Sequence, residues 1–145
     1  MAKLIFVNLP VADVEHSAAF YAALGFERDM RFSQPGKAAA MKWSDTISIM
    51  LLSHDFFAGF TPKAIADATA STEVLLALSC DDRTGVDRMT ETAAAQGGKG
   101  DVRAVQDMGF MYSRAFEDPD GHIFEPMFMD MEAALAAMPQ QPADA

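Results

Sequence analysis

Two aspartates roughly 70 residues apart open the same series of elements, and that repetition constrains the fold more than any other feature. Lys3 to Leu9 is a short apolar run rich in β-formers, closed by Pro10. Asp13 then stands where a helix N-cap belongs. Val14, Ala18, Tyr21, Ala22 and Leu24 follow at helical spacing, and Gly25 sits at the C-terminal stop. Three strand-like runs come next, Phe26 to Phe32, Ala38 to Trp43 and Thr46 to Ser53. The second half repeats the order. Glu73 to Ser79 reads as a strand, Asp81 or Asp82 caps a helix through Ala95, and Gln96-Gly97-Gly98-Lys99-Gly100 ends it. Val102 to Gln106, Phe110 to Phe116 and His122 to Phe128 are three more strands. The pattern predicts an α+β domain of two β-α-β-β-β modules, residues 1–53 and 72–129. A connector spans 54–71, with a short helix expected from Thr61-Pro62 through Ala68. A final helix, Met129 to Met138, and a frayed tail from Pro139 to Ala145 complete the chain.

Composition narrows the partners. Half of the 145 residues are hydrophobic and the formal net charge is −10. That supports a packed core and argues against nucleic acid and anionic membrane surfaces as partners. Cys80 is the single cysteine, so no intrachain disulfide forms. With no signal-peptide pattern and no apolar run near membrane-spanning length, the expected location is the cytoplasm.

The most informative local stretch is Glu117-Asp118-Pro119-Asp120-Gly121-His122-Ile123-Phe124-Glu125-Pro126. Pro119 presets φ within a turn and Gly121 admits positive φ, so the stretch reads as a hairpin. Glu125 lies in an apolar run, where a carboxylate needs a partner, a ligand or an edge facing water. Pro126 is compatible with such an edge.

The same residues resemble a signature of the vicinal oxygen chelate superfamily, which contains glyoxalase I, bleomycin-resistance proteins, fosfomycin-resistance enzymes and extradiol dioxygenases. Asp-Pro-Asp-Gly, three residues and Glu open its last strand. Val11-Ala12-Asp13 and Ser17 to Phe26 look like its opening strand-to-helix segment. The resemblance implies the glyoxalase/bleomycin-resistance/dioxygenase fold, with paired β-α-β-β-β modules curled around a cavity. It also implies a four-ligand divalent metal site in the metal-dependent members, to which the last-strand Glu, here Glu125, contributes.

The other three ligand positions depart from that pattern. The first-strand position holds Asn8, Ile49-Met50-Leu51 offers only a thioether, and Val74 to Leu78 offers no donor. One carboxylate does not hold a catalytic transition metal. No cofactor is therefore expected. His54 and His122 are the residues from which a rearranged divalent site would have to be built.

The resulting expectation is a small-molecule binding protein of the bleomycin-resistance kind, with Asn8, Tyr112, Arg114 and Glu125 as the polar fittings of its pocket. Arg114 could instead form a structural ion pair with Glu125 or Glu117. The alternative function is a lactoylglutathione lyase-like or dioxygenase-like enzyme with a rearranged metal site, Glu125 being its candidate catalytic residue. Phe56, Phe57, Phe60 and the Met129 to Met138 helix carry apolar surface that suggests a homodimer.

Overall fold

The computed structural model describes residues 1–138; the expected frayed tail from Pro139 lies outside them. The first module is β1 (Ile5–Val11), α1 (Val14–Ala23), β2 (Glu27–Gln34), β3 (Ala38–Lys42) and β4 (Ile47–Ser53). A five-residue helix, α2 (His54–Ala58), begins the connector. The second module is β5 (Leu75–Ser79), α3 (Arg83–Ala95), β6 (Lys99–Gly100), β7 (Gln106–Asp107), β8 (Met111–Ser113), β9 (Phe116–Glu117) and β10 (Ile123–Met129). Helix α4 (Met131–Ala137) closes the described chain.

The repeat is carried by the sheets. In the first, the order is β1-β4-β3-β2, with β1 parallel to β4. In the second, β5 lies parallel to β10, and β10 continues antiparallel to β8 and β9, which pair with β7 and β6. Each module thus places its opening strand beside its closing strand. The predicted α+β architecture of two β-α-β-β-β modules is the one the chain adopts.

Both helix caps act as their residue types dictate. The Asp13 carboxylate accepts from the His16 amide at 3.0 Å, and Asp82, not Asp81, accepts from the Gly85 amide at 2.7 Å. Gly25, at φ 108°, takes the left-handed conformation that stops α1.

One core serves both modules. Val7, Leu9 and Val11 of β1 and Ile49 and Leu51 of β4 face α1, whose Val14, Ala18 and Tyr21 are buried against them. The other side of α1 reaches the second sheet. Phe20 packs 6.3 Å from Phe116, and Tyr21 packs edge-on 5.5 Å from Phe124. Phe116 and Phe124 stack with ring centroids 5.5 Å apart. Leu76 and Leu78 of β5 and Met89 and Ala93 of α3 complete this layer. Each sheet therefore has a helix-packed face and a face free of helices α1 and α3.

Three expectations need correction. The strand expected over Val102 to Gln106 is absent; only the flanking pairs at 99–100 and 106–107 join the sheet. Asp101 bends the chain there by adopting φ 49°. The strand expected over Phe110 to Phe116 is split into β8 and β9. Arg114 lies opposite Pro126 in this register, and its amide donates to the Pro126 carbonyl at 3.3 Å. Pro126 has no N–H to return, so the ladder breaks. The connector helix lies at His54–Ala58, not over 61–68. The Ser53 hydroxyl accepts from the Phe56 amide at 3.2 Å and starts the helix early. Farther on, the Asp67 carboxylate accepts from both the amide and hydroxyl of Thr69, an Asx turn that competes with helix. No helix among the described residues is long and apolar enough to cross a membrane.

Candidate functional site

Strand pairing decides where each candidate side chain goes. Glu125 pairs with Ala77 of β5 and alternates with Phe124 and Pro126, whose side chains enter the core. Its carboxylate therefore stands on the helix-free face, beside Ile123 and Met127. Its partner is Arg103, from the loop between β6 and β7. The Arg103 Nε and Nη2 both donate to Glu125 Oε2, at 3.0 and 2.9 Å. Nη2 also donates to the Ser113 hydroxyl at 2.9 Å, and Nη1 to the Ala104 carbonyl at 3.0 Å. The two side chains are 27% and 21% exposed, so the pair is partly desolvated and strongly oriented. Glu125 Oε1 takes no hydrogen bond from the described residues.

Tyr112 and Arg114 do not join Glu125. They occupy the opposite face of the sheet and are tied to α3. The Tyr112 hydroxyl donates to Asp87 at 2.6 Å, and Arg114 Nη1 donates to the same oxygen at 2.9 Å. Arg114 also grips Asp101 in a bidentate pair at 2.9 and 2.8 Å. Arg83 lies over the Tyr112 ring at 4.8 Å and holds both oxygens of Asp107. These contacts shift the groups accordingly. Hydrogen bonds from Tyr112 and Arg114 hold Asp87 below its ordinary value, Arg114 lowers Asp101, and Arg83 brings Asp107 down to about 2. The network fastens α3 to the sheet. The ion pairs of Arg114 are to Asp87, Asp101 and, at 3.6 Å, Glu91, not to the Glu125 or Glu117 expected as alternatives.

Asn8 projects from the helix-free face of β1, opposite Met50 of β4. It lines a cavity of about 310 Å³ under the connector, together with Phe57, Val74, His122 and Ile123. Glu125, Tyr112 and Arg114 do not line that cavity, so the expected four-residue pocket divides among three places. His54 is an exposed residue at the start of α2. His122 is a wall of the cavity, its Nε2 2.8 Å from the Pro10 carbonyl oxygen.

The Asp-Pro-Asp-Gly turn joins the modules. Asp118 is buried, and its Oδ1 accepts from the amides of Asp120 and His122 at 3.0 and 2.9 Å. Oδ2 accepts from the Tyr21 hydroxyl of α1 at 2.6 Å. Burial raises the Asp118 carboxyl, opposed by the hydrogen bonds it accepts from the Tyr21 hydroxyl and the His122 amide. Burial, followed by the Asp118 charge, pushes the Tyr21 hydroxyl well up. Asp120 accepts from the Ala12 amide at 2.9 Å, tying the turn to the end of β1. Gly121, at φ 93°, packs so closely that an added Cβ would lie 2.8 Å from the Ala68 carbonyl.

The donor set for a divalent ion does not fit. The register pairs Asn8 with Met50 and Ala77 with Glu125, so the four positions that resemble the ligand sites carry one carboxylate, one amide, one thioether and one methyl group. The carboxylate already holds a guanidinium. Among the described residues no group of three or more His, Cys, Asp or Glu side chains is placed to hold a metal.

Residues 3–41 match the family described as bleomycin resistance protein-like N-terminal. No curated protein matches the chain significantly. Among solved structures, hypothetical protein SA1046 from S. aureus is 26% identical, over 88% of this chain and 95% of that one, with a TM-score of 0.73. A glyoxalase/bleomycin resistance protein/dioxygenase family enzyme from Burkholderia phytofirmans PsJN is 21% identical, over 88% and 99%, with a TM-score of 0.70. Lactoylglutathione lyase from Agrobacterium tumefaciens is 18% identical, over 90% and 96%, with a TM-score of 0.62. The module order, the turn from Asp118 to Gly121 followed by Glu125, and these likenesses agree: the chain has the glyoxalase/bleomycin resistance/dioxygenase fold, and its first 41 residues include a segment similar to the bleomycin resistance protein-like N-terminal family.

Proposed function

We propose that this chain binds a small molecule without a resident metal, in the manner of a sequestering protein. One observation carries the reading: the Arg103 guanidinium, rather than a vacant coordination sphere, faces Glu125. A carboxylate held by two charge-assisted hydrogen bonds gives up its partner only at considerable cost. The residues at the other three positions supply no competing incentive, since amide, thioether and methyl groups are poor or null donors for zinc or iron. The enzyme alternative needs a second metal-ligating cluster, and neither His54 nor His122 stands in one.

We also propose a homodimer. β1 and β5 are edge strands, and Leu4, Ile5, Phe6, Val74 and Leu75 on or beside them are each more than half exposed. Phe60, Met131 and Leu135 add apolar surface elsewhere. Sedimentation that gives a monomer at micromolar concentration refutes the dimer.

The test of the metal-free reading is elemental analysis of the purified protein, with titration of zinc, nickel, manganese and iron(II) and a glyoxalase assay. The expected result is substoichiometric metal and no turnover. Tight stoichiometric binding that confers turnover, and that Glu125→Gln abolishes, returns the chain to the metalloenzymes.

A further inference from the structure

The cavity under the connector has chemistry of its own. At about 310 Å³ it falls at the lower end of the roughly 300–1,000 Å³ spanned by small-molecule sites. Its walls are mainly apolar, from Leu9, Pro10, Phe57, Val74, Leu76 and Ile123. Lys63 and Glu73 also line it; both are exposed and of opposite sign, so they favour neither charge in a guest.

Thr61, Ser71 and Thr72 add hydroxyls to the rim, and His122 is the polar side chain of the wall whose direction is fixed by a backbone contact. Its Nε2 lies 2.8 Å from the Pro10 carbonyl oxygen, which can only accept, so in the neutral ring Nε2 carries the hydrogen. Nδ1 is then a lone-pair acceptor, fixed in direction by a bond to backbone. Nothing among the described residues donates to it. The Asn8 amide, on β1, is exposed at the mouth of the cavity and has no hydrogen bond among the described residues. The roof is held in place as well, because the Ala68–Thr69 backbone rests directly on Gly121.

We propose that this cavity is a binding compartment for an uncharged, mainly apolar molecule that presents one hydrogen-bond donor, a hydroxyl or N–H, to His122 Nδ1, with Asn8 as a second polar contact. The proposal deepens the small-molecule reading above and rests on it for its biological meaning. A matched pair of probes, naphthol and its methyl ether, differs only in the donor and tests it on the intact chain by NMR titration. Naphthol should shift the amides of Asn8, Val74 and Ile123 saturably and bind roughly three- to tenfold more tightly than the ether, the range expected for one net hydrogen bond. The imidazole Nδ1 resonance of the unmodified protein should move with naphthol and stay in place with the ether.

In His122→Phe the preference should fall to within about twofold, the limit set by similar apolar burial of the two probes. Asn8→Leu should weaken naphthol binding while leaving the Nδ1 response intact. Equal affinity for the two probes, an unmoved Nδ1 resonance, shifts centred on Ala77, Ser113 and Met127, or no saturable shift would each overturn the proposal. The outcome is separable from the metal test. Stoichiometric metal with the naphthol preference intact removes the metal-free reading alone, and metal-free protein without the preference removes this one alone.

Discussion

Tyr21→Phe deletes one hydroxyl and leaves the ring. The ring packs edge-on against Phe20, Phe26 and Phe124, at centroid distances of 5.1, 5.3 and 5.5 Å, and the substitution keeps those contacts. What it removes is a 2.6 Å hydrogen bond to Asp118, a carboxylate only 3% exposed. Hydrogen bonds to charged groups contribute about 1.5–3 kcal/mol, and the orphaned oxygen stays buried, so a loss of about 2 kcal/mol at neutral pH is expected. In a domain this size that corresponds to roughly 4–8 °C in Tm. The loss should also depend on pH with a definite sign. Burial raises the folded-state Asp118 carboxyl above its unfolded value, so this group favours folding most below the unfolded value and loses that contribution as pH rises through the folded one. Without the Tyr21 donor the folded value rises further, which makes the deficit largest at neutral pH and smaller toward acid. Urea unfolding of both proteins across that range measures it. A deficit under about 0.5 kcal/mol at neutral pH, the scatter of ordinary surface changes, would refute the reasoning, and so would a deficit that does not shrink on acidification.

Gly121→Ala should destabilise the chain by at least about 2 kcal/mol, because positive φ and a Cβ pressed on the Ala68 backbone add. Gly36→Ala, at φ 71° with open space around it, should cost only about 1 kcal/mol, and chemical denaturation compares the two. A double-mutant cycle of Arg103→Met and Glu125→Gln should return a coupling of about 1–2 kcal/mol, below the value for a fully buried pair because both groups keep some solvent. The same cycle with Arg114→Met in place of Arg103→Met should return no more than about 0.3 kcal/mol, since Arg114 lies across the sheet. Arg114→Met alone should loosen α3, seen as faster amide exchange over Arg83–Ala95 with the first module unchanged.

The caps and the turn were the legible parts of the sequence. Asp13, Asp82, Gly25 and the Asp118 to Gly121 turn fix element ends through local chemistry, so the two-module order followed without any tertiary knowledge. The site was harder, though one signal went unread. A turn that pairs Glu117 with Ile123 puts Glu125 across from Ala115 and Pro126 across from Arg114. Alternation then sends Arg114 and Tyr112 to the face opposite Glu125, and leaves Glu125 to find a cation elsewhere in its module. Arg103 was available, but reading Val102 to Gln106 as a strand hid it, since the loop that delivers Arg103 depends on the Asp101 bend. The stretch 62–68 misled for a different reason. Its alanines favour helix locally, whereas the contact of Ala68 and Thr69 with Gly121 is long-range and leaves no local trace.

Helix α1 belongs by sequence to the first module, yet its Phe20 and Tyr21 supply aromatic packing for Phe116 and Phe124 of the second. Neither repeat owns a complete hydrophobic interior. A chain opened within residues 59–72 would therefore yield two fragments that are each unstructured alone and that regain order only on recombination, in one concerted transition. The internal duplication is a symmetry of architecture, and it does not extend to thermodynamic independence.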